Sequence, residues 1–235
     1  MINSLPRWVW PGAGLLAFLA GMINVTGVLG FTHEAVTHLT GVTTYLGAAL
    51  AGGKVSGALH LGGILLAFVA GAALCGLVLG GGGMKPGPRY NMVLWLESLM
   101  LAGAVPLLEH QFIVGVFLTC AATGLQNALV AAFSGSLIRT THLSGLFTDL
   151  GILIGQALRG LPTDIRRWKL CFSVITGFLG GAVAGAACFR EWSYHTLLIP
   201  AAVTALLGLM GSGLRAGSRV QVAVQESAVV LALAG

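Results

Sequence analysis

Two short polar stretches stand out in a chain that is otherwise apolar. THLTGVTTYLG begins at residue 37 and THLSGLFTDLG begins at residue 141, and seven of their eleven positions are identical. Hydroxyl groups donate and accept hydrogen bonds, and a histidine changes its charge near neutral pH. We expect the two motifs to bind a small polar or anionic solute. The candidate residues are Thr37, His38, Thr40, Gly41, Thr140, Thr141, His142, Ser144 and Gly145.

Each motif is expected to start a short helix. The candidate N-caps are Thr37, Thr40, Thr140, Thr141 and Ser144. The start of such a helix directs unpaired N–H groups and the positive end of its dipole toward a ligand. Gly41 and Gly145 would let a ligand approach the backbone closely. In the alternative interpretation, the polar residues only join helices, through interhelical hydrogen bonds worth about 0.6 kcal/mol each.

His38 and His142 occupy the same position in the two motifs. They predict a symmetric pair that hydrogen-bonds a substrate or titrates near neutral pH. A metal pair is not expected, because no carboxylate or cysteine accompanies them at ligand spacing. No cofactor is expected either.

Two acids are predicted to lie within apolar segments. Asp149 stands in the second motif where the first has Tyr45, and Glu97 lies inside LWLESLML. An ionisable residue inside the membrane is a functional hypothesis by default, so either acid is a candidate for proton coupling or gating. The alternative is a packing role in which Arg139 or a histidine neutralises the acid.

The composition predicts an integral membrane protein. Only 8% of the residues are charged, 56% are hydrophobic, and the mean hydropathy is +0.92. A spanning helix needs about 20 apolar residues. Six such stretches occur, at residues 8–30, 56–80, 91–108, 111–133, 168–189 and 194–211. We expect an all-α polytopic fold, with residues 1–235 forming a single membrane domain.

The similarity extends beyond the two motifs. GMIN at residues 21–24 aligns with GLQN at 124–127, and FVAGA at 68–72 aligns with FLGGA at 178–182. The amides Asn24, Gln126 and Asn127 therefore precede the motifs and are added to the candidate binding residues. We expect two homologous repeats, at residues 8–108 and 111–211, followed by a C-terminal tail at 212–235.

Loop charges predict the topology. With a cytoplasmic N-terminus, motif segments that cross the bilayer (residues 37–52 and 141–158) would place eight cations inside and four outside. Re-entrant motifs would place ten inside and leave only Lys54 and Arg190 outside. The positive-inside rule favours the re-entrant arrangement. A helix of about 16 residues is also only roughly 24 Å long, short of the ~30 Å hydrocarbon core. Re-entrant motifs make the repeats inverted, and a tilted crossing is the alternative.

Other function classes have less support. Nucleic-acid binding is not expected, because no basic stripe with interleaved aromatic residues occurs. No GxSxG, HExxH or paired-acid spacing points to an enzyme. The leading prediction is a transporter or channel whose pathway runs between the two motifs. The main alternative is a non-transporting scaffold or accessory subunit, and a homo-oligomer is compatible with either.

A family resemblance rests on several ordered motifs. GMIN, THLTGVTTYLG, GLQNAL, RTTHLSG and LFTDLG resemble the YoaK family of bacterial inner-membrane proteins, which are counted as six-span proteins of unknown function. Many family members have Asp at the position of Asn24. Family members commonly have Asn at the position of Val42. The second copy matches the family better, at Gln126, Asn127, Ala128, Thr140, Thr141 and Gly145. The resemblance implies the location and the architecture, and it implies that the second half dominates any shared site.

Overall fold

The regular structure is helical throughout the described part of the chain. A computed structural model describes residues 9–80, 87–134 and 140–211, and these ranges contain no β-strand. The helices are α1 (Val9–Leu29), α2 (Leu39–Ala51), α3 (Val55–Leu79), α4 (Pro88–Glu109), α5 (Ile113–Ser134), α6 (Leu143–Leu158) and α7 (Ile165–Trp192). A 3₁₀ turn at Ser193–Leu197 leads into α8, at residues 198–211. The predicted C-terminal tail lies outside the described residues.

Among the described residues, five helical segments are long and apolar enough to cross a bilayer, as in a multi-pass membrane protein. Four of these segments lie in α1, α3, α4 and α5. The fifth is the continuous segment Ile165–Gly211. Two predicted spans fall in that fifth segment. The 3₁₀ turn, which separates α7 from α8, begins at Ser193 with φ +48° and includes the first four residues of the second predicted span. The motif helices α2 and α6 are shorter, with 13 and 16 residues.

Local sequence accounts for several helix ends. Pro88 occupies the first turn of α4, where its missing N–H costs no hydrogen bond. Asp164 caps α7 by accepting a 2.9 Å hydrogen bond from the Arg166 backbone N–H. After α2 and α6 the chain turns through Gly53 and Gly160, with φ of +65° and +71°, a conformation that glycine adopts without a steric penalty.

The first helix runs opposite to α5 and parallel to α7. Near its start, Ala13 shares a buried cluster with Val130 at the end of α5 and Leu170 at the start of α7. Near its end, Ile23 shares another cluster with Val116 at the start of α5. The starts of α1 and α7 therefore lie beside the end of α5.

The ends of α3 and α5 lie together with the start of α4. Leu79, Val93 and Leu129, from these three helices, form one buried cluster. We call this end of the bundle, with the starts of α1, α4 and α7, the basic end. Its described cations are Arg89, Arg159, Arg166, Arg167 and Lys169. The opposite end carries Lys54 and Arg190.

Glycines allow two helix pairs to cross at backbone contact. At the α3–α5 crossing, a Cβ atom on Gly71 would collide with the Ala121 carbonyl oxygen, and one on Gly124 would collide with that of Phe68. At the α1–α7 crossing, a Cβ atom on Gly181 would collide with the Phe18 carbonyl oxygen. A Cβ atom on Gly21 would collide with the Phe178 carbonyl oxygen. Such close approach is typical of membrane helices, where packing replaces the hydrophobic effect as the force between helices.

Candidate functional site

The two motif helices share one packing pattern. The buried side chains of α2 are Val42 and Ala49, and those of α6 are Leu146 and Leu153. In each helix the two positions are seven residues apart, so they lie on one face. That face packs on α3 for α2 and on α7 for α6. The other faces of both helices are largely exposed.

The predicted hydroxyl caps are wrong. The N-cap residues are His38 and His142, with nearly equal backbone angles (φ −93°, ψ 65° and φ −92°, ψ 58°), and neither side chain makes a capping hydrogen bond. The helices begin at Leu39 and Leu143, so Thr40 and Ser144 already lie inside the first turn. Both are exposed.

The remaining predicted caps lie before the N-cap positions. They are Thr37, Thr140 and Thr141. Thr37 and Thr140 are buried, and Thr141 is partly buried.

Gly41 and Gly145 make room for the histidine rings. A Cβ atom on Gly41 would lie 2.6 Å from Nε2 of His38, and one on Gly145 would lie 2.7 Å from Nε2 of His142. Each imidazole therefore folds over the first turn of its own helix. The group that approaches each glycine in the structure is the histidine three residues earlier, and the approach of a ligand there stays a prediction.

The motifs lie apart. Within the described ranges, α2 and α6 make no contact with each other. α2 lies between the end of α1 and the start of α3, whereas α6 lies between the end of α5 and the start of α7, at the basic end. His38 and His142 therefore do not form the predicted pair.

The first motif is attached to α1 through Asn24. Oδ1 of Asn24 accepts hydrogen bonds from the Thr37 backbone N–H at 3.0 Å and from Thr37 Oγ1 at 2.8 Å. In the second half, Oδ1 of Asn127 and Oγ1 of Thr140 are buried without a hydrogen-bond partner in the described structure. The two motifs are thus alike in sequence but differ in how their polar groups are satisfied.

A buried polar pair joins α4 to α5. Gln126 Nε2 donates a 2.9 Å hydrogen bond to Glu97 Oε1, and both side chains are completely buried. Glu97 Oε2 and Gln126 Oε1 have no partner in the described part of the chain, nor does Glu97 form an ion pair there. The partner of Glu97 is therefore an amide, rather than a predicted histidine. The other suggested partner, Arg139, lies outside the described residues.

The Glu97–Gln126 pair lies deep in the bundle. Glu97 lies near the middle of α4, and Gln126 lies near the middle of α5. Burying a carboxyl group without an opposite charge is costly, so Glu97 is an unusual residue for this position. Asp149 is instead exposed on α6. Of the two predicted acids, only Glu97 belongs to a buried polar cluster.

Two further acid–histidine pairs were not predicted. Glu34 Oε2 lies 2.7 Å from His60 Nε2, and Glu109 Oε1 lies 2.9 Å from His195 Nδ1. Both pairs are at the end opposite the basic end. Each joins residues distant in the sequence, so spacing gives no signal for them. The only clue is an acid or a histidine next to the end of an apolar span.

A small cavity lies where the two halves meet at the same end. It has a volume of about 10 Å³, enough for about one water molecule, and its lining includes Thr26, Gly30, Phe31, Thr119 and Tyr194. The Phe31 backbone N–H donates a 2.7 Å hydrogen bond to the Tyr194 hydroxyl oxygen. This contact attaches the segment after α1 to the 3₁₀ turn after α7.

Comparison with protein families gives a match over most of the chain. The DUF1275 family, described as a protein of unknown function, matches residues 12–210. Neither the curated proteins nor the solved structures contain a significant match to the chain. The family match includes all helices from α2 to α7 and nearly all of α1 and α8. On this evidence, the chain belongs to the DUF1275 family.

Proposed function

We propose that this protein is a transporter or channel for a small polar or anionic solute in the bacterial inner membrane. The observation that carries the proposal is the buried Glu97–Gln126 pair, in the middle of two helices, with one unsatisfied oxygen on each side chain. Buried polar groups at such depth are costly, and in membrane proteins they typically mark pathways for ions, protons or substrates. Glu97 is the proposed coupling group, and the amides of Gln126 and Asn127 are proposed to contact the solute.

We further propose that the chain consists of two inverted repeats. The antiparallel arrangement of α1 and α5 supports this, because these helices begin the two halves. The glycine contacts are also reciprocal. The first helix of each half crosses the third helix of the other half, so α1 crosses α7 and α5 crosses α3. Residues that align between the halves make these contacts. Gly21 corresponds to Gly124, and Phe178 corresponds to Phe68.

In this arrangement the motif helices are re-entrant and form opposite mouths of the pathway. α1 ends and α3 begins at one end of the bundle, so α2 returns to the side from which it starts. α6 does the same at the basic end. The cations of the basic end then face the cytoplasm, together with the N-terminus. A YoaK-type inner-membrane protein agrees with the family assignment.

A second candidate is a non-transporting scaffold or accessory subunit. The observation that favours it is the exposure of α2 and α6, for example 68% at Tyr45 and 54% at Phe147. A partner subunit or a second copy of the chain would cover these faces. The motifs would then hold subunits together, and the protein would have neither a pathway nor an enzymatic role.

Cysteine labelling separates the two candidates. In a background without the four native cysteines, Thr40→Cys and Ser144→Cys are expected to react with a charged, membrane-impermeant thiosulfonate. We expect Thr40→Cys to react only when the reagent is applied from the periplasmic side and Ser144→Cys only from the cytoplasmic side. The measurement is the protection of each cysteine from later labelling by a fluorescent maleimide, in spheroplasts and in inverted vesicles.

A lipid-facing control gives the background rate of labelling. Leu77→Cys is suitable, because Leu77 is 81% exposed on the apolar helix α3. Labelling of both motif cysteines at this background rate would contradict an aqueous pathway and favour the scaffold. Reaction of both cysteines from the same side would contradict the inverted arrangement.

A further inference from the structure

An open groove of about 680 Å³ lies between the starts of α1 and α7, at the basic end. Most of its lining comes from α7, at positions i, i+3, i+4, i+7 and i+8, which form one face of a helix. These residues are Ile165, Trp168, Lys169, Phe172 and Ser173, with Pro11 contributed by α1. The groove contains neither Glu97 nor Gln126 and is independent of the proposed transport function.

The floor of the groove is aromatic and apolar. The rings of Trp168 and Phe172 stack with their centroids 6.0 Å apart and an angle of 15° between their planes. Trp168 Nε1 donates a 3.2 Å hydrogen bond to Thr163 Oγ1, so the polar edge of the indole is satisfied within the chain. Ile165 is 64% exposed and Phe172 is 51% exposed. A tryptophan with one apolar face and one polar edge is typical of the boundary between lipid and water.

Lys169 is the cation that lines the groove, and three further cations lie near it in the sequence. Residues 159–169 contain four cations and a single acid, Asp164, whose carboxylate accepts a hydrogen bond from the Arg166 backbone. Lys169 lines the groove itself, is exposed, and forms no ion pair with another described side chain. The side chain of Lys169 therefore lines the same groove as the exposed apolar floor.

We propose that this groove is a binding site for an anionic glycerophospholipid. An acyl chain lies along Ile165, Trp168 and Phe172, and the headgroup phosphate pairs with Lys169. Basic pockets beside transmembrane helices bind anionic headgroups in this way. A zwitterionic headgroup, with its own ammonium group, offers Lys169 no net negative charge. The site therefore prefers phosphatidylglycerol to phosphatidylcholine with the same acyl chains.

Native mass spectrometry of the purified full-length protein tests the preference. We expect phosphatidylglycerol to be retained at lower concentrations than phosphatidylcholine. Lys169→Gln is expected to weaken phosphatidylglycerol binding about fivefold, the usual contribution of one cation near a lipid surface. Arg159→Gln is the matched control, because it removes a cation from the same end of the bundle but outside the groove. It should leave the preference unchanged.

Two results on the lipid preference would overturn the proposal. One is equal retention of the two lipids by the unmodified protein. The other is an equal loss of phosphatidylglycerol binding in Lys169→Gln and Arg159→Gln, which would indicate diffuse attraction to a basic surface. Phe172→Ala examines the floor separately, and it should weaken the binding of both lipids. Unchanged binding of both by Phe172→Ala would likewise count against a site in the groove.

Discussion

Replacing Gly71 by alanine is expected to lower the stability of the protein by about 1–3 kcal/mol, the usual cost of forcing extra atoms into a packed contact. The new methyl group would meet the Ala121 carbonyl oxygen, which belongs to the backbone of α5 and cannot rotate away. The helices α3 and α5 would have to separate, and close packing along their crossing would be lost. The measurement is the thermal unfolding midpoint of the purified protein in detergent, followed by tryptophan fluorescence.

The matched control lies on the same helix. A Cβ atom on Gly76 would meet nothing within 4 Å, so Gly76→Ala introduces no clash. Because alanine favours a helix over glycine by up to about 1 kcal/mol, this variant should be as stable as the unmodified protein or more stable. The two substitutions are chemically identical, so opposite signs would isolate the contact with α5. Equal midpoints for Gly71→Ala and Gly76→Ala would show that the crossing does not limit stability.

The reciprocal crossing gives a second pair of variants. Gly181 of α7 contacts the Phe18 carbonyl oxygen, whereas a Cβ atom on the adjacent Gly180 would meet only ring carbons of Phe18, at 3.7 and 3.8 Å. Gly181→Ala should therefore destabilise the α1–α7 crossing, just as Gly71→Ala should destabilise the α3–α5 crossing. Gly180→Ala should be tolerated. Similar losses at Gly71 and Gly181 would support equivalent roles for the two crossings.

Much of the helical architecture could be predicted from the sequence because apolar length is a direct physical requirement of a bilayer. The predicted end of α1 differs from the structure by one residue, and its predicted start, residue 8, lies outside the described residues. For α7 the prediction was three residues short at each end, since the helix continues past the apolar window to include Arg166 and Arg190. Hydropathy locates the hydrocarbon core, but hydrogen bonds and caps determine where a helix ends. The 3₁₀ turn at Ser193 has no hydropathy signal.

The candidate site was less predictable, because its contacts depend on how distant helices pack. Sequence singled out Glu97 and Gln126 separately but gave no indication that their side chains are paired. It also suggested a histidine pair from the equivalence of His38 and His142. Equivalence in a repeat gives equal local structure, and the two histidines do have nearly equal backbone angles. Equivalence in a repeat does not bring the two histidines together, because the distance between them depends on how the two halves are arranged in space.

Glu97 is expected to affect stability and transport in separable ways. Glu97→Ala should lower stability by roughly 2–4 kcal/mol, because it leaves a cavity and removes the only described partner of the buried Gln126 amide. Glu97→Gln keeps the volume and can still accept a hydrogen bond from Gln126, so its unfolding midpoint should be close to that of the unmodified protein. The glutamine cannot bind and release a proton, and uptake driven by a pH gradient should therefore be lost.

Proteoliposomes measure the second effect. A panel of urea, glycerol, glycine and phosphate is presented with and without an inward proton gradient, and uptake is compared for the unmodified protein and for Glu97→Gln. Glu109→Gln is the matched control, since it removes an acid from the same helix at an exposed position that pairs with His195. A solute whose uptake depends on the gradient should lose that dependence in Glu97→Gln and keep it in Glu109→Gln. Retention of the dependence in Glu97→Gln would remove this acid from the coupling role, because the side-chain amide of glutamine does not bind and release a proton.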